Sequence, residues 1–106
     1  MSALDPAARM PPGLTQYKST PLFDARTTPP ALQGEHSTKS GVWGQIQVRS
    51  GRLRYVVTDP ARTASSIDLA PGDPRGIIEP TILHRVEPLG AVAFHVEFHR
   101  VAGVAG

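Results

Sequence analysis

Proline and glycine punctuate this chain too often for a long helix to fit between them: eleven prolines and ten glycines stand in 106 residues. Proline lacks a backbone donor and clashes with the preceding helical turn, and glycine favours turns over helix interiors. The stretches between these breakers are short, and their apolar and polar side chains alternate with a period of two, as in half-buried strands. In GVWGQIQVRSGRLRYVVTDP, Val42, Gly44, Ile46 and Val48 alternate against Trp43, Gln45, Gln47 and Arg49. Beyond Ser50-Gly51, Leu53, Tyr55 and Val57 alternate against Arg52 and Arg54, so the Ser-Gly pair predicts a hairpin turn. SSIDLAPG predicts a short strand stopped by Pro71-Gly72, RGIIEP another stopped by Pro80, and HRVEPLG a turn at Pro88-Leu89-Gly90. The last strand, AVAFHVEFHRV, places Val92, Phe94, Val96 and Phe98 on one face and Ala93, His95, Glu97 and His99 on the other. Near the start, LTQYKSTPLFDARTTPP suggests one or two irregular edge strands, since Pro21, Pro29 and Pro30 cannot donate to a ladder. Seven or eight short strands without a helix predict an all-β fold: a sandwich, a jelly roll or a small barrel.

A chain of this length makes one domain. Residues 1–12, rich in alanine and proline, read as a flexible segment and 13–106 as the folded unit. The formal charge is +2, and Arg49, Arg52, Arg54, Arg62, Arg75, Arg85 and Arg100 are spread out rather than clustered. That spacing suits a solvated sheet face and speaks against nucleic-acid binding. No run approaches the roughly 20 apolar residues of a membrane span, and the N-terminus has no apolar core of signal-peptide length. The absence of cysteine removes disulfides and thiolate chemistry, and the expectation is a soluble cytoplasmic protein.

The candidate chemistry lies with four histidines, His36, His84, His95 and His99. His84 sits among Ile78, Ile82, Leu83 and Val86, a poor solvent for a group that titrates near neutrality. It is either core filler with a hydrogen-bond partner or a ligand aimed into a cavity. His36 follows a Gly34-Glu35 turn signal. His95 and His99 share the polar face of the last strand with Glu97, and alternate residues there stand about 6.6 Å apart, too wide for all three to meet one ion. No nucleophile elbow, phosphate-binding glycine loop or paired catalytic carboxylate is visible.

The order of LxPGD, an apolar strand, a proline turn with a following histidine, then VEPLG and a closing strand resembles the second half of a cupin. GLTQYKSTPLFD, HSTKSGVWGQIQVRSGRLRY, IEPTILHRVEPLG and FHVEFHR are together similar to the TehB/YeaR-like cupins, over about Pro12 to Arg100. These are small bacterial proteins and fused domains associated with tellurite resistance. The resemblance implies a single cupin-like jelly-roll barrel with a divalent metal ion held by His36, His84 and Glu97. Gly72-Asp73, Ile77-Ile78 and Pro80 lead to His84 as in the second cupin motif. The chain departs from the first motif, with Thr38 in the place of its second histidine and Gly44 in the place of its carboxylate. Two imidazoles and a carboxylate suit zinc, iron, nickel or manganese without choosing among them. Lys39 and Glu87 are expected beside the metal, and Trp43 and Tyr55 in the pocket wall. The expected function is a metal-binding cupin of the tellurite-resistance, stress-response type, holding a small anion or organic ligand on an open metal position. The alternatives are a metal-dependent oxygenase, isomerase or hydrolase on the same site, or a metal-free binding module. Expected partners are a small molecule or oxyanion and a second copy in a homodimer; whether the chain works beside a methyltransferase, as fused relatives do, is not legible in the sequence.

Overall fold

The computed structural model describes residues 9–101 and orders them as β1 (Leu14–Ser19), β2 (Phe23–Asp24), a helical turn α1 (Pro30–Gln33), β3 (Trp43–Val57), β4 (Ser65–Leu69), β5 (Ile77–Ile78) and β6 (His84–Val101). The two longest strands set the architecture. β3 and β6 run antiparallel from Trp43 opposite His99 to Val57 opposite His84.

The hairpin expected at Ser50-Gly51 does not form. β3 continues through that pair, and the ladder to β6 slips between Val48 and Ser50 and again between Gly51 and Leu53. Gly51 takes a left-handed backbone (φ 74°) inside the strand, and a Cβ there would drive into the carbonyl oxygen of Ala91. A glycine in this conformation makes a β-bulge as readily as a turn, and a bulge bends a strand without reversing it. The turn expected at Pro88-Leu89-Gly90 is likewise absorbed into β6, opposite the β3 irregularity. Both strands therefore bend together, and the described residues hold six strands rather than seven or eight.

The sheet order is β1-β6-β3-β4, with β2 also on β6 and β5 also on β3, every pair antiparallel. The irregular edge strands expected between Leu14 and Pro30 are β1 and β2, and the short SSIDL and II strands are β4 and β5. The fold is all-β and a single small domain, as expected. The closed barrel is not formed: β1 and β4 end the sheet order without pairing to each other, and the sheet is open. Residues 1–8 of the expected flexible segment, and 102–106, lie outside the described residues.

One face of the bent sheet carries the core. Ile46, Leu53, Leu69 and Phe94 are buried to 1 % exposure or less, and Val92, Phe94 and Val96 point inward as the period-two pattern requires. Phe23 on β2 packs its ring on Phe94, centroids 5.7 Å apart. Gly76 comes close enough to accept the Ile46 N–H at 2.8 Å, and a Cβ there would collide with Ile46 and Leu69. The helical turn, unforeseen in the sequence, starts with Pro30 in its first turn, where a missing N–H costs nothing. No helix among the described residues is long and apolar enough to cross a membrane.

Candidate functional site

Two backbone hydrogen bonds join the histidines that matter most. The His36 N–H donates to the His84 carbonyl and the His84 N–H to the His36 carbonyl, each at 2.9 Å. This isolated antiparallel bridge lies at the start of β6. A second stitch follows, in which Thr81 donates its N–H to the Thr38 carbonyl at 3.0 Å from a left-handed backbone (φ 66°) that threonine rarely adopts. Local strain of this kind persists only where the surroundings hold it. The loop carrying His36–Lys39 is thereby fastened to the segment that leads into β6.

The bridge sets the rings 4.2 Å apart, centroid to centroid, in an edge-on arrangement. Each ring is oriented by the carbonyl two residues before it: His84 Nδ1 lies 2.9 Å from the Ile82 oxygen and His36 Nδ1 3.0 Å from the Gly34 oxygen. A carbonyl can only accept, so Nδ1 is the donor in each ring, and in the neutral His84 imidazole Nε2 is left with a lone pair. Beneath them Tyr55 sets its ring edge-on to His84 at 5.7 Å and donates its hydroxyl to the Ile77 carbonyl at 3.0 Å. Burial pushes the Tyr55 phenol up, so it stays protonated and serves as a prop. Burial likewise pulls His84 from 6.5 down to about 4; the bond to Ile82 opposes this, and the neighbouring His36 ring adds to it. His84 is 1 % exposed and neutral at physiological pH.

Above the pair opens a cavity of about 310 Å³. Its apolar wall includes Leu32, Val42, Ile78, Val96 and Phe98, and its polar groups include Lys18, Ser37, Thr38 and Lys39 beside the two histidines. No carboxylate stands among these lining residues, so the charge at the cavity is positive. Lys18 and Tyr17 were not foreseen from the sequence. The β1–β6 register skips Tyr17 between Gln16 and Lys18, and this bulge brings two consecutive side chains to the cavity where strict alternation would bring one. A strand pairing carries no local sequence signal of its own. The inward Phe98 was legible from the alternation of β6.

The structure brings His36, His84 and Lys39 to one cavity, packs Tyr55 against His84 behind it, and leaves Glu97, Glu87 and Trp43 elsewhere. Glu97 lies between Val96 and Phe98, both of which line the cavity, so strand alternation turns its carboxylate to the opposite face. There it accepts from Gln47 Nε2 at 3.4 Å and lies 3.9 Å from His99 Nε2. Glu87 pairs with Arg85 and, at 3.7 Å, with Arg54. Trp43 stands opposite His99 in the ladder and is not among the cavity's lining residues. His95 is held by Ser19 Oγ and Arg49, each at 3.0 Å, on that outer face.

The sequence matches the TehB-like domain over residues 18–96. The chain belongs to the TehB-like domain family. It is 32 % identical over 74 residues to the probable S-adenosyl-L-methionine-dependent methyltransferase TehB of Haemophilus influenzae, and 31 % identical to that of a second strain. These matches cover 69 % of this chain and 26 % of the relatives, so the chain spans about a quarter of their length. The crystal structure of Haemophilus influenzae TehB superposes with a TM-score of 0.78 at 26 % identity, over 87 % of this chain and 33 % of that one. A crystal structure of an E. coli strain K12 protein superposes with a TM-score of 0.77 over 89 % of this chain and 97 % of that one; at 22 % identity it shows the fold alone.

These findings correct the expected metal chemistry. The relatives of this TehB-like chain are named for S-adenosylmethionine and methyl transfer rather than for a metal. Among the described residues no three His, Cys, Asp or Glu side chains are grouped to hold an ion. The set of His36, His84 and Glu97 fails for a geometric reason, because Glu97 sits one residue out of phase with the inward face of β6. The metal-binding cupin, and the divalent zinc, iron, nickel or manganese ion with it, are therefore withdrawn. The residues lining this cavity do not fit S-adenosylmethionine either. That molecule is a net cation with a sulfonium and an ammonium group, and this cavity meets it with two lysines and no carboxylate.

Proposed function

We propose that this TehB-like domain is a metal-free ligand-binding module that serves a methyltransferase of the TehB type, holding a small molecule in the His36–His84 cavity while methyl transfer takes place on another polypeptide segment. The observation that carries this reading is the cavity itself, with two oriented imidazoles, two lysines and an apolar wall in one concave site. Small-molecule pockets combine an apolar lining with a few placed polar groups in about 300–1,000 Å³. The match to only 26 % of the methyltransferase relatives supports an accessory role. Within this reading, the open sheet holds its cavity without a metal-ligand set, with Thr38 and Gly44 where the first cupin motif has a histidine and a carboxylate, and its setting is cytoplasmic.

The test is calorimetric titration of the purified chain with S-adenosylmethionine and S-adenosylhomocysteine, together with an assay for labelled methyl transfer. The expected outcome is no heat of binding at millimolar cofactor and no transfer. A micromolar dissociation constant for either nucleoside would overturn the accessory reading and make this chain a cofactor site.

A further inference from the structure

The cavity's polar groups divide into two kinds that together specify a ligand. With Nδ1 committed to the Ile82 carbonyl, the nitrogen that His84 has left for a ligand is a lone-pair acceptor, and it meets its best partner in a donor such as a hydroxyl. Lys18 and Lys39 are donors with a positive charge, and they suit an acid group. The same space is also lined by hydrocarbon, from Ile78, Val96 and Phe98. A bare inorganic oxyanion would satisfy the lysines, leave that apolar surface wet, and fill only part of the roughly 310 Å³. Near neutrality such an oxyanion keeps a hydroxyl that could meet the His84 lone pair, but it brings no hydrocarbon to cover Ile78, Val96 and Phe98.

We propose that the ligand is a small hydroxylated organic anion, a 2-hydroxycarboxylate with a branched or aromatic body. Its hydroxyl donates to His84 Nε2, its carboxylate faces Lys18 and Lys39, and its hydrocarbon rests on Ile78, Val96 and Phe98. This rests on the ligand-binding reading above and narrows it to one chemical class. The neutral ring supports the assignment: His84 keeps its lone pair throughout the physiological range, so hydroxyl recognition does not switch off near neutrality.

The experiment follows the imidazole nitrogens of the full chain by ¹⁵N NMR during titration at pH 7 with racemic 2-hydroxyisovalerate, isovalerate, sodium phosphate and sodium tellurite. The hydroxy acid is expected to move His84 Nε2 and saturate, and isovalerate, lacking the hydroxyl, to need at least about tenfold more. Lys18→Gln, a change at an exposed position outside the core, is expected to weaken 2-hydroxyisovalerate several-fold without altering the fold. Equal affinity for isovalerate and the hydroxy acid would overturn the hydroxyl assignment, and tighter binding of phosphate or tellurite would overturn the organic one. In both cases the cavity would remain a binding site. If no probe moves either histidine, the assignment falls and the ligand-binding reading falls with it.

Discussion

Acid should destabilise this protein through one buried ring. The His84 imidazole titrates at about 4 in the fold against an ordinary 6.5. Between those two values the unfolded chain takes up a proton that the folded chain refuses, so stability is complete above about pH 6.5 and is lost as the pH falls toward 4. The slope approaches 1.36 kcal/mol per pH unit, and the loss by pH 4 comes to about 3 kcal/mol. That is a large share of the roughly 5–15 kcal/mol that holds a domain of this size together. The carboxylates act in a different window. Backbone N–H groups hold Asp24 and Asp59 below the ordinary 3.8, and Arg54 and Arg75 hold Asp68 and Asp73 below it, so their contributions are lost at lower pH. The assay is urea unfolding followed by the fluorescence of the lone Trp43 from pH 7 to pH 4, on the parent and on His84→Gln. The glutamine amide can still donate to the Ile82 carbonyl, yet it does not titrate. The variant is expected to be less stable at pH 7 and to lose about 3 kcal/mol less than the parent on acidification. Parallel stability curves for the two proteins would refute the assignment of the acid limb to His84.

Three further outcomes follow from packing and backbone geometry. Tyr55→Phe keeps the ring against His84 but strips the donor from the Ile77 carbonyl, and should cost about 1 kcal/mol, a Tm loss of about 4–8 °C; an unchanged Tm would show that bond to be worthless. Gly51→Ala forces a left-handed backbone on alanine and drives its Cβ into the Ala91 carbonyl, so a loss of at least about 1–3 kcal/mol is expected in denaturant unfolding. Phe94→Ala empties the centre of the core beneath Phe23 and should cost about 3–5 kcal/mol, and a loss under 1 kcal/mol would mean that the sheet collapses to fill the space.

Much of the fold was legible before any coordinates. Period-two alternation sorts Ile46, Val48, Leu53, Tyr55, Phe94 and Val96 to the buried face, and all six are buried. His84 reads as an inward residue in an apolar setting, and it is one of the most buried side chains in the chain. The same alternation, applied strictly, argues against Glu97 as a partner for His84, because Val96 and Phe98 flank it on the inward face. The implied ligand set overrode a local rule that the structure then enforced.

What the sequence determined by itself is what depends on neighbours along the chain: strands rather than helices, the face each side chain takes, and a histidine set among apolar residues. What only the tertiary structure decided is what depends on a partner strand. Ser50-Gly51 could reverse the chain or merely bend it, since a left-handed glycine serves both, and the opposing β6 makes it a bend. His36 meets His84, and Lys18 reaches the same cavity, through backbone pairings between segments far apart in the chain. Those pairings rest on N–H and C=O groups that every residue carries alike, so no side-chain pattern announces them, and the site they assemble exists only once the sheet has formed.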